Sequence, residues 1–180
     1  MKYQDTWING KCVEKGKRDC DARYQIVKSF CENSPPKTVL DIGSNMNYFG
    51  LRLIEDFRCS VVAFEFDHFD LRKRIVDANK TSNLILLKRK LSLKDLEILR
   101  SCCHFDLVLA MSVMHHLPNP INEWIRLFKE IGDNVIAEYA LEDSERTKTK
   151  HGYSIPEDGT LMGYGDSHLK NNFKRPIILL

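Results

Sequence analysis

The sequence predicts an α/β protein: a doubly wound, mostly parallel sheet with helices on both faces. Three features point there. Apolar runs of strand length recur at 38–43, 59–66, 83–88, 105–112 and 134–141. They are continuously apolar, the pattern of strands buried on both faces. The stretches between them place apolar residues at helical spacing, so strands alternate with helices. Short right-handed crossovers then make an open parallel sheet the economical topology.

A leading helix comes first, with Cys20, Tyr24, Val27 and Cys31 on one face, and Pro35-Pro36 stops it. "TVLDIG" (38–43) is the first buried strand. Phe49, Leu53 and Phe57, with Ile54 beside them, then form the stripe of a helix over 48–57. "CSVVAFEF" (59–66) is the second strand, closing on Glu65 and Asp67. A helix over 68–79 carries Phe69, Ile75 and Val76 opposite Arg72-Lys73-Arg74. "NLILLK" (83–88) is the third strand. Ser92 and Asp95 resemble a capping box, with Asp where Glu or Gln is usual, opening a helix to about Leu99. "FDLVLAMS" (105–112) is the fourth strand. After "HHLPNP", Ile121, Trp124, Ile125 and Phe128 mark the clearest helix. "NVIAEYAL" (134–141) is the fifth strand, and "RPIILL" at the C-terminus offers one more, reached through a glycine-rich stretch. The polar segment 142–160, with Gly152, Pro156 and Gly159, is the expected mobile loop.

A chain of 180 residues fits one domain with a sizeable core. We expect an N-terminal helical segment (1–36), a ligand-binding core (37–141), and a substrate-side loop with a C-terminal strand (142–180). With 27 basic and 25 acidic side chains, global charge selects no polyanionic partner. The basic clusters at 15–18, 72–74, 88–90 and 146–151 are scattered and lack interleaved aromatics for base stacking, so a nucleic-acid partner is not favoured. The N-terminal stretch has no apolar core of signal-peptide length, and no run approaches about 18 apolar residues. The expectation is a cytoplasmic protein without a membrane partner. The six cysteines (Cys12, Cys20, Cys31, Cys59, Cys102 and Cys103) include no Cys-x-x-Cys pair and read as packing thiols. No metal site is expected.

The first strand-to-helix turn runs Asp41-Ile-Gly43-Ser44-Asn45-Met-Asn47-Tyr-Phe-Gly50. A dinucleotide site wants Gly-x-Gly-x-x-Gly so that the backbone can approach a pyrophosphate. Counted from Gly43, the second and third glycine positions hold Asn45 and Tyr48, a poor match. No Gly-Lys-Ser/Thr follows, which excludes a Walker-type loop. A ligand without phosphates demands less of this backbone, and asparagine is the residue after glycine that best tolerates left-handed angles. The next strand ends in Glu65, where a carboxylate can accept ribose hydroxyls.

"VLDIGSNMNYFG", "VVAFEFD", "FDLVLAMSVMHHL" and "NVIAEYAL", in that order, resemble the motifs of class I S-adenosylmethionine-dependent methyltransferases across residues 37–141. Many members read Asp-x-Gly-x-Gly-x-Gly in the turn, where this chain has Asn45 and Asn47 at the second and third glycines. The resemblance implies a Rossmann-like fold and S-adenosylmethionine as cofactor. It implies that Asp41, Gly43, Ser44, Asn45 and Asn47 face the methionine part, that Glu65 holds the ribose, and that Met111 lines the cofactor beside the transfer site. His115 is the candidate general base and His116 a loop residue. Arg23 is a candidate for the methionine carboxylate, while Tyr24 and Trp124 read as core. The acceptor is expected to be a small-molecule or glycan hydroxyl ahead of RNA. The alternative is a non-catalytic Rossmann-like binding or partner subunit; a nicotinamide oxidoreductase is disfavoured by the missing pyrophosphate turn.

Overall fold

A computed structural model describes residues 2–140, 155–166 and 174–180. Its strands are β1 (Thr6–Ile8), β2 (Lys11–Glu14), β3 (Thr38–Ile42), β4 (Ser60–Glu65), β5 (Leu84–Lys88), β6 (Phe105–Ala110), β7 (Gly132–Glu138), β8 (Thr160–Asp166) and β9 (Lys174–Leu179). Its α-helices are α1 (Cys20–Asn33), α2 (Tyr48–Phe57), α3 (Phe69–Asn79), α4 (Leu93–Cys102) and α5 (Ile121–Ile131). Seven strands form a sheet in the order β5-β4-β3-β6-β7-β9-β8; β3–β4, β4–β5 and β6–β7 pair parallel and β9 pairs antiparallel with β7 and β8, while β1 and β2 lie apart as a hairpin. This is the doubly wound, mostly parallel architecture the apolar runs predict. The chain divides into two compact units, Met1–Lys90 and Leu91–Leu180.

In the first unit, β3 pairs with β4 and β4 with β5, placing Asp41 beside Ala63 and Phe64 beside Leu87. Val39, Leu40, Val61 and Ala63 are buried, as continuously apolar strands should be. Asp19 caps α1 by accepting the Ala22 N–H at 3.1 Å. The helix buries Cys20, Arg23, Tyr24, Val27 and Cys31, and the Tyr24 hydroxyl donates to Asp56 at 2.7 Å. Burial also pushes the Cys31 thiol up to about 12, consistent with a packing role. Helix α2 buries Phe49, Leu51 and Leu53, each worth about 1.5–3 kcal/mol of transfer energy.

The sequence reading leaves residues 2–18 without strands; the structure folds them into a strap carrying the β1–β2 hairpin. Asn9 and Gly10 take φ of 48° and 75°, the doubly left-handed turn that matches hairpin twist. Trp7 Nε1 and the Gly10 N–H donate to Glu55 of α2 at 2.8 and 2.9 Å, and Asn79 of α3 donates to the Trp7 carbonyl at 2.9 Å. The Arg52 guanidinium lies 4.3 Å from the ring centres of both Trp7 and Tyr24. The strap closes where Asp5, itself buried, accepts the Gly16 N–H at 2.7 Å. A Cβ on Gly16 would meet the Gln4 carbonyl carbon at 2.3 Å, and backbone cannot move aside cheaply. Gly16→Ala is therefore expected to destabilise the protein by about 2 kcal/mol or more, read as a lower denaturation midpoint, while an Ala at the exposed Lys17 costs little.

In the second unit, Ser92 and Asp95 form both arms of the capping box: Ser92 Oγ accepts the Asp95 N–H at 3.3 Å and Asp95 accepts the Ser92 N–H at 2.9 Å. Aspartate thus does the work usually given to glutamate. The α5 stripe buries Ile121, Trp124, Ile125, Leu127, Phe128 and Ile131, with Trp124 Nε1 donating to the Pro118 carbonyl at 2.9 Å. Strand β7 begins at Gly132 and ends at Glu138, earlier than the apolar run suggests. The glycine-rich approach to the last strand is itself a strand, β8, antiparallel to β9. Of the expected loop 142–160, residues 142–154 lie outside the described residues. No described helix is long and apolar enough to cross a membrane.

Candidate functional site

The turn between β3 and α2 packs three left-handed residues into five: Gly43 (φ 66°), Asn45 (φ 49°) and Asn47 (φ 58°). Glycine has no Cβ to clash there, and asparagine pays the smallest penalty among the rest. The backbone N–H groups of 43–47 all have protein acceptors. Gly43 and Ser44 donate to the Phe64 carbonyl at 2.9 and 3.1 Å, and Asn47 to the Ser44 carbonyl at 2.9 Å. Asn45 donates to Glu65 Oε2 at 2.8 Å and Met46 to Gln4 Oε1 at 3.1 Å. A phosphate-binding turn works the other way, with amides left for the ligand.

The unmatched polar atoms here are on side chains. Asp41 Oδ2, Ser44 Oγ, Asn45 Oδ1 and both amide atoms of Asn47 are shielded from water and have no hydrogen-bond partner. Each such atom costs about 1–3 kcal/mol, and several in one turn call for a partner that a ligand can supply. Gly43 and Asn45 are half-exposed and form the turn's open surface; Asp41, Ser44 and Asn47 lie beneath.

Asp41 is the electrostatic centre of the turn. Burial, with a smaller contribution from the Glu65 charge, pushes its carboxyl up to about 7. Below about pH 3 it is largely protonated in folded and unfolded chains alike. As pH rises towards 7 the unfolded chain ionises and the folded one resists, so stability falls through this window. Asp41→Asn is accordingly expected to stabilise the ligand-free protein at pH 8 and leave it nearly unchanged at pH 4, measured by urea denaturation. Equal destabilisation at both values would contradict a buried, strained carboxyl.

Glu65, at the end of β4, is half-buried. Its Oε2 accepts from Asn45, and its Oε1 accepts the Phe66 and Asp67 N–H groups at 2.7 and 2.8 Å. A carboxylate offers about four acceptor positions, so one remains, on Oε2. Two ribose hydroxyls would require a backbone donor to yield. Asp67 is exposed, its backbone held by Glu65.

In the second unit, Met111 is buried at the end of β6, and Ser112 follows with φ 60°. His115 is half-buried in a short 3₁₀ turn, its ring centre 4.0 Å from that of the exposed His116. The sequence reading missed a neighbouring polar cluster. Ser112 Oγ donates to Glu138, and Arg175 donates to Ser112 Oγ at 3.2 Å, all three residues being buried. A glutamate inside the apolar run "NVIAEYAL" was the available signal, since carboxylates are buried with partners. Arg23, a candidate for a ligand carboxylate, is fully buried in the first unit with its guanidinium 5.1 Å from the Phe49 ring centre. Among the described residues no three His, Cys, Asp or Glu side chains gather as metal ligands.

No protein-family model matches the chain, and no curated protein does. Solved structures do. The bifunctional kinase-methyltransferase WbdD superposes with a TM-score of 0.72 and 22% identity, over 92% of this chain and 40% of that one. The N-terminal domain of EvdMO1, solved in the presence of SAH and D-fucose, gives 0.65 and 12% over 97% of this chain and 88% of that one. A Klebsiella pneumoniae protein assigned as an O-methyltransferase gives 0.66 and 15%, over 89% and 80%. The chain spans two fifths of the WbdD length and most of the other two. What it shares with these proteins is their fold, a mostly parallel, doubly wound α/β sheet.

Proposed function

We propose that this chain is an S-adenosylmethionine-dependent methyltransferase acting on a small-molecule or glycan hydroxyl. The observation that carries the reading is the 43–47 turn, whose amides are engaged while its side-chain polar atoms wait for partners. That inventory suits a ligand whose polar groups are an ammonium, a carboxylate and ribose hydroxyls, and does not suit a pyrophosphate. Asp41 would face the ammonium, Ser44, Asn45 and Asn47 the amino-acid end, and Glu65 a ribose hydroxyl through its remaining position. Gly43 would leave room for close approach.

When bound, the cofactor supplies a methyl group already activated by its positive sulfur. The protein's part is then to orient the acceptor and exclude water, which can provide much of the rate. His115 would take the acceptor proton in its neutral form. The hydroxyl reading draws support from the fold neighbour assigned as an O-methyltransferase and from the D-fucose present with EvdMO1. Incubation with methyl-labelled cofactor and pools of sugars, small alcohols and RNA tests it: label should enter a sugar or alcohol. Label in RNA alone would replace the acceptor, and label in nothing, with cofactor bound, would favour a binding subunit.

A further inference from the structure

Within the first unit, four of the five engaged amides of the turn are held by the βα unit itself, through Phe64, Glu65 and Ser44. The fifth is different. The Met46 N–H depends on Gln4, 42 residues away in sequence, whose side chain is almost wholly buried (2% exposed). The strap holds Gln4 on both sides. Lys17 donates to the Lys2 carbonyl at 3.0 Å and Arg18 to the Tyr3 carbonyl at 3.1 Å, before it. After it, Asp5 takes the Gly16 N–H and its own N–H meets Cys20 Sγ at 3.4 Å. Gly16 sits against the Gln4 backbone with no room for a Cβ. So much backbone fixing around one side chain places its oxygen on one amide.

We propose that Gln4 sets the ligand specificity of the turn: by occupying the Met46 N–H it excludes pyrophosphate-bearing nucleotides and keeps the turn in the form that takes S-adenosylmethionine. The inference rests on the functional reading above and deepens it. A single N–H directed at Gln4 cannot also serve a phosphate oxygen with good geometry. Met46 lies one residue before the N-cap of α2, where a pyrophosphate would otherwise meet this one N–H and the positive end of the helix. The neutral amide oxygen of Gln4 occupies the donor without adding charge beside Asp41 and Glu65. Gln4 is thus a positioning residue, acting through the turn.

Gln4→Leu keeps most of the side-chain volume and removes the acceptor; Gln4→Glu keeps an acceptor. Amide hydrogen exchange at Met46, and calorimetry with SAH and with ADP-ribose, read the outcome. In Gln4→Leu, Met46 should lose protection, SAH should bind about tenfold more weakly, and ADP-ribose should gain binding it lacks in the wild type. Gln4→Glu should keep Met46 protected and ADP-ribose excluded. Should Gln4→Leu not fold, Gln4→Ser, too short to reach Met46, carries the same expectations. A folded acceptor-free variant with Met46 still protected, or with ADP-ribose still refused, overturns the proposal. A wild-type protein that binds no SAH overturns the functional reading instead, and that result is read before any variant is made.

Discussion

Glu65→Ala is expected to weaken SAH binding by about a hundredfold, near the upper end of what a charged hydrogen bond contributes. Two effects combine. The ribose loses its acceptor, and the Asn45, Phe66 and Asp67 amides lose theirs. Freed Asn45 is the more damaging, because its φ of 49° is a conformation the turn must hold against its intrinsic preference. Calorimetry reads the first effect and amide exchange at Asn45 the second. Glu65→Gln separates them: it retains an oxygen for Asn45, so the amide should stay protected while SAH affinity falls by a smaller factor. Wild-type SAH affinity in a folded Glu65→Ala would move the ribose contact elsewhere, with Asp67 the next carboxylate to test.

His115→Ala is expected to lower turnover by about two orders of magnitude or more while SAH affinity stays near that of the wild type. The residue stands in the 3₁₀ turn that follows β6, half-exposed beside His116. Turnover in the wild type should fall as pH drops through histidine's titration, because an imidazolium accepts no proton. His116→Ala, at the more exposed neighbour, should leave turnover close to normal. A flat rate between about pH 5.5 and 8, or near-normal turnover in His115→Ala, would remove the base and leave orientation as the source of rate.

Most of the sheet was legible because its strands read as unbroken apolar runs: β3 and β6 are buried along most of their length, and β5, at the sheet edge, has the same run although Ile85 and Leu87 are exposed. β3, β4, β5 and β6 fall within a residue or two of those runs. Glu65 was legible for the same reason, as a carboxylate closing an apolar strand. β8 was not, since Gly163, Gly165 and Asp166 dilute the pattern on a strand with several exposed residues. The β1–β2 hairpin carried a clear signal, Asn9-Gly10 between apolar positions, that periodicity over such short strands did not amplify. Gln4 gave no signal at all. Its role comes from a strap closed by Asp5 and Gly16 and from an amide far along the chain, relations that exist only once the unit is folded. The left-handed angles at Asn45 and Asn47 were anticipated from residue type; the engagement of every amide around them was not.

On the proposed function, the turn at 43–47 receives S-adenosylmethionine and not a dinucleotide. Calorimetric titration of the purified protein with SAH and, separately, with NAD tests it most directly. The expected result is micromolar-range binding of SAH and NAD binding weaker by at least about a hundredfold, a difference of about 2.7 kcal/mol. Tight binding of NAD with no binding of SAH would contradict the account.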